Sequence, residues 1–116
     1  MNLFLLLGQL GLSWDLSDQP LIPIGTVYDP FVCRGLDAFI YGTYSAARFI
    51  IAGTPSGVTL APEGGAHQST ITASIGMELP GVTFIEPTYG TALSWMLPDA
   101  ITRVAAGPSE LKTAAP

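Results

Sequence analysis

Three short apolar runs, separated by stretches of helical character, predict an α/β fold: a parallel sheet flanked by helices. The runs are residues 21–28 (LIPIGTVY), 48–54 (RFIIAGT) and 81–87 (GVTFIEP). The second is continuous and apolar, as strands buried on both faces are. Helical stretches between the runs allow right-handed crossovers, which make consecutive strands parallel.

The chain opens with MNLFLLLGQLGLSWDLS. Its start carries no basic residue, Gly8 and Gln9 interrupt the apolar run, and Trp14-Asp15 follow too soon for a spanning length of about 20 residues. It therefore reads as a buried helix rather than a signal peptide or membrane span. Its leucines fall on all sides, the pattern of a helix covered on several faces.

The first strand follows at residues 21–28 and leads into a helix with a readable start. Asp29 is a good N-cap, Pro30 suits the first helical position, and the helix is expected to reach about Ala47. Around a wheel of 3.6 residues per turn, Val32, Leu36, Phe39, Ile40 and Thr43 face the sheet, with Arg34, Asp37, Tyr41 and Ser45 opposite. A shorter helix is expected from His67 or Gln68, and a last one over residues 89–104, interrupted or bent at Pro98.

Composition bounds the function. The 116 residues suit one domain. Apolar residues make up 48% of the chain and charged ones 11%, so much of the surface is expected to be covered by a partner. A net charge of −5, with basic residues scattered at Arg34, Arg48, Arg103 and Lys112, offers no stripe for a phosphate backbone and argues against nucleic acid. The single cysteine, Cys33, excludes an intrachain disulfide and a cysteine-built zinc site, and fits a reducing, cytoplasmic setting.

Sheets of this class gather ligands at the carboxyl ends of their strands. The segments there are TVYDPF, GTPSGVTLAPEGGAHQ and EPTYG. The second contains PEGGAHQS, with the only histidine of the chain, His67, four positions after Glu63. Alone, a loop histidine is compatible with either a structural or a functional role. Phe31 falls cleanly on neither side of its wheel. It can stack on a flat ligand or partner, or serve as a hydrophobic staple under a loop.

The stretches IPIGTVYDPFVCRGLDAFIYGTYS and GTPSGVTLAPEGGAHQSTITASIGMELPGVTFIEPTYG resemble the pyrimidine-binding domain of thiamine-diphosphate enzymes. The likeness is closest to the homodimeric pyruvate dehydrogenase decarboxylating components and their transketolase relatives, and covers about residues 1–103. It implies a transketolase-like pyrimidine-binding domain over residues 1–104, truncated at both ends relative to the family, with residues 105–116 a flexible tail.

By this resemblance Phe31 stacks on the aminopyrimidine ring and Tyr28 neighbours it, while Glu63 and His67 stand near the substrate's carbonyl and hydroxyl groups. Histidine is the residue type suited to proton exchange near neutral pH, and a carboxylate can orient it or bind a hydroxyl. Gly64 and Gly65 allow close backbone approach.

The resemblance further implies a homodimer and a site shared with a diphosphate-binding domain of the same or a partner subunit. That domain would hold the magnesium ion through a Gly-Asp-Gly sequence, which is not present here. The glutamate that activates the cofactor would lie before Met1. The expected function is thus a fragment of a 2-oxo acid decarboxylating dehydrogenase, inactive alone. Transketolase-type ketol transfer, a non-catalytic interaction module and a small-molecule sensor are alternatives. Arg34 and Asp37, one turn apart, permit an exposed ion pair worth about 0.3–0.5 kcal/mol. They are read as interface residues, with an ordinary solvated face as the alternative.

Overall fold

The computed structural model describes residues 2–19, 21–54 and 57–106. Helix α1 (Asn2–Gly11) and the short α2 (Ser13–Ser17) precede strand β1 (Ile24–Tyr28). A 3-10 segment (Asp29–Gly35) runs directly into α3 (Leu36–Tyr44), which returns the chain to β2 (Ile50–Thr54). Two further 3-10 turns (Gly57–Glu63 and Gly65–His67), α4 (Thr72–Glu78) and α5 (Gly90–Ala106) complete the order. The fold is α/β, with a two-stranded parallel sheet flanked by helices.

β1 and β2 pair from Ile24 opposite Ile50 to Tyr28 opposite Thr54, so both strands end at the same level. The core forms where α1 crosses α3. Phe4, Val32, Ala38 and Phe39 are buried together, with Val27, Phe49 and Ile51 packed against them. Phe39 lies 6.1 Å from Phe4 and 6.0 Å from Phe49 between ring centroids, distances at which tilted aromatic rings attract. α1 approaches closely because glycines face it. A Cβ on Gly35 would overlap the Phe4 ring, and one on Gly25 would come within 2.6 Å of Leu7.

Several expectations are corrected. Residues 82–87 form no strand and pair with neither β1 nor β2. They are held through side chains instead: Val82 packs on the core, and Phe84 lies against Gly76 of α4. An alternating apolar pattern serves equally for an extended segment anchored in this way. The helix after β1 starts at Asp29 with Tyr28 flanking it, and its first seven residues are 3-10 rather than α. The tighter winding of that segment changes its phase relative to α3. Ala38 is buried where Ile40 was expected, and Ile40 is 42% exposed.

α1 is covered on one face only. Phe4, Leu7, Gly8 and Gly11 are buried, whereas Leu3, Leu5, Leu6 and Leu10 are exposed. α5 continues through Pro98, contrary to an interruption there, and none of its residues is buried. Trp95 is 74% exposed on it. The helix meets β2, and its end is tied by Arg48, whose Nη1 donates to the carbonyl of Ala105 at 3.3 Å. Residues 105–106 belong to α5, and the remainder of the expected tail, 107–116, lies outside the described residues.

Two outcomes are expected. The Gly35→Ala substitution forces a Cβ into the Phe4 ring and should destabilise the chain by about 1–3 kcal/mol in urea unfolding. The exposed leucines of α1 and the apolar residues of α5 should drive self-association, read as a concentration-dependent mass by light scattering. A Leu6→Lys, Trp95→Lys variant should shift that mass towards the monomer.

Candidate functional site

The two parallel strands deliver their following segments to one edge. Tyr28 is the last residue of β1, and Phe31 follows in the 3-10 segment. His67 ends the third 3-10 element, after β2. The three rings form a mutual cluster, with centroid separations of 5.9 Å for Tyr28–Phe31, 5.5 Å for Tyr28–His67 and 5.9 Å for Phe31–His67. Tyr28 meets both neighbours edge-on, the arrangement that ring quadrupoles favour.

The loop that carries His67 is built from successive tight turns. Gly64 N donates to the carbonyl of Ala61, His67 N to that of Gly64 and Gln68 N to that of Gly65. The Gln68 side chain closes the loop by donating to the Ala61 carbonyl at 3.4 Å. Gly64 has φ of 94°, a conformation glycine adopts without a Cβ penalty, and it separates the two 3-10 turns. Glu63 lies before this break and His67 after it. Glu63 is exposed and makes no hydrogen bond or ion pair with His67. Of the four sequence-predicted site residues, three are thus brought together, and Glu63 stands apart.

Two polar atoms at this edge are buried without a hydrogen-bonding partner: Nδ1 of His67 and Oγ1 of Thr54. Thr54 is the register partner of Tyr28, which itself touches His67. Burying such groups unpaired costs roughly 1–3 kcal/mol each. A hydrogen-bonding partner for either atom would recover part of that cost. The sequence did not single out Thr54, because one hydroxyl at the end of an apolar run carries no signal until the strand register is known.

At Arg34 the structure differs from the ion pair that the sequence permits. No ion pair joins it to Asp37; its guanidinium carbon lies 4.4 Å from the centre of the Phe31 ring. In a 3-10 helix, residues i and i+3 eclipse, so the local winding stacks position 34 over position 31. Beside this stack an open groove of ≈ 390 Å³ runs between the 3-10 segment and the loop after Gly65. Phe31, Cys33 and Arg34 line one side, and Gln68, Ser69 and Thr70 the other.

Thr72 fastens the two sides. It is buried at the start of α4, and its hydroxyl donates to the Asp29 carbonyl at 3.2 Å. The site is therefore held by backbone turns and one cross-link.

No family model, curated protein or solved structure matches the chain significantly. Among the described residues no helix is long and apolar enough to cross a membrane, and no group of three or more His, Cys, Asp or Glu residues is gathered as a metal site.

The loop geometry yields a paired expectation. Gly64→Ala should destabilise the chain by about 1–2 kcal/mol through its left-handed backbone, and should move the NMR signals of the His67 ring. Gly65→Ala meets no atom within 4 Å and should remain within about 0.5 kcal/mol of the parent in urea unfolding.

Proposed function

We propose that this edge is the aminopyrimidine-binding half of a thiamine-diphosphate site, in a domain related to the 2-oxo acid decarboxylating dehydrogenases. The observation that carries the reading is the convergence of Tyr28, Phe31 and His67 at the carboxyl ends of two parallel strands. All three lie in the stretches on which the resemblance rests.

The residues present fit the pyrimidine part of the cofactor. Phe31 supplies an aromatic platform, Tyr28 supports that platform from its edge, and Nδ1 of His67 is a polar atom without a hydrogen-bonding partner. When bound, the cofactor supplies a nucleophilic thiazolium carbon for attack on a carbonyl. His67 would hold or release a proton beside that centre, and the Tyr28 and Phe31 rings would exclude water from it. Glu63, exposed at the rim, would meet substrate rather than orient His67 in the present loop conformation.

The diphosphate and its magnesium ion require a separate diphosphate-binding domain, from the same or a partner subunit. The exposed faces of α1 and α5 are the apolar surfaces available for that partner or for a homodimer. The separation of Glu63 from His67 gives some weight to a second reading, a non-catalytic interaction module that keeps the fold.

Binding decides between them. Thiamine titrated into the 116-residue chain should perturb the His67 ring signals weakly and saturably, and Phe31→Ala should abolish the effect. Stacking contributes only about 0.5–1.5 kcal/mol beyond area burial, so tight magnesium-dependent binding and 2-oxo acid turnover should require a diphosphate-binding domain supplied in addition. No perturbation of His67 by thiamine, or one that persists unchanged in Phe31→Ala, would remove the basis for the cofactor reading.

A further inference from the structure

The groove beside Phe31 carries an unbalanced positive charge. Arg34 lines it, and among the described residues no Asp or Glu does. The other described cations are engaged elsewhere: Arg103 pairs with Asp99 at 2.6 Å, and Arg48 lies over Trp14 while donating to Ala105. Among the described residues Arg34 has only the face of Phe31. An aromatic face satisfies the charge of a guanidinium only in part, and among the described residues no hydrogen bond engages the Arg34 N–H donors.

Those donors form a planar fork that matches a carboxylate in geometry. The opposite wall adds the hydroxyls of Ser69 and Thr70, and Pro30, Phe31 and Ile71 add apolar surface. A volume of ≈ 390 Å³ lies within the range of small-molecule pockets. Charge favours a single negative charge over two, because one arginine in a chain of net charge −5 would leave a dianion half compensated.

We propose that this groove binds a small monocarboxylate, with the carboxylate on the Arg34 guanidinium and the apolar body against Phe31, Pro30 and Ile71. The groove shares Phe31 with the proposed cofactor platform but is set by Arg34 and the loop after Gly65 rather than by Tyr28 and His67, and its test through Arg34 does not depend on the cofactor reading.

The test titrates the complete 116-residue chain, labelled with nitrogen-15, with sodium benzoate at fixed ionic strength. Benzamide serves as the neutral isostere and phenylphosphonate as the more highly charged probe. The Arg34 Nε–H and the Ser69 and Thr70 amide signals should shift with benzoate and saturate on the order of millimolar concentration. Benzamide and phenylphosphonate should each bind about tenfold more weakly or worse.

Arg34→Gln, an exposed position whose amide spectrum reports retained folding, should reduce benzoate to the level of benzamide. Arg34→Lys should fall between, keeping charge without the fork, and Arg103→Gln should change nothing. Equal binding of benzoate and benzamide, benzoate affinity unaffected by Arg34→Gln, tighter binding of phenylphosphonate, or no saturation by benzoate would each overturn the proposal.

Discussion

The contact between Phe4 and Gly35 fixes the rest of the molecule. Phe4 is 3% exposed, and its ring fills the space where any side chain at position 35 would project. Gly35 is also the residue at which the 3-10 segment gives way to α3. Seating α1 there ties the N-terminal helix to the crossover between the strands and fixes where the tight winding ends. The consequence reaches the site. In a regular α-helix, positions 31 and 34 would be offset by about 60° around the axis; in the 3-10 segment they align. The Arg34 guanidinium over Phe31 follows from that alignment.

The fold was legible where the sequence carries redundant signals. β1 and β2 combine continuous apolar character with helix-forming stretches on both sides, and both form within the expected runs. Pro30 marks the start of a helical element, but Asp-Pro opens an α-helix and a 3-10 segment alike, so the winding could not be read. Without the winding, the inward face of the crossover was assigned to Ile40 rather than Ala38. At residues 82–87 the apolar pattern was real, yet Val82 and Phe84 spend it on the core and α4.

The site divides in the same way. Tyr28, Phe31 and His67 were named together because all three lie in segments at the carboxyl ends of the predicted strands and in the stretches that carry the resemblance, and the structure gathers their rings. Glu63 was grouped with His67 because both lie in the PEGGAHQS loop and both match site residues of the resembling family. The left-handed backbone at Gly64 stands between the two. Thr54 and Arg34 were missed as site residues for a different reason: their positions depend on strand register and helix winding, which are properties of the assembled backbone.

A small core makes the polar atoms at this edge informative. The buried apolar side chains are few, namely Phe4, Leu7, Val32, Ala38 and Phe39 among the described residues. A fold resting on so limited a core has little stability to spare for an unpaired imidazole nitrogen and an unpaired hydroxyl. Both occur at the carboxyl end of the sheet, where in-register parallel strands bring two loops together. The same edge also gathers three rings and an arginine. Their coincidence at one edge is the feature that the proposed binding role would account for.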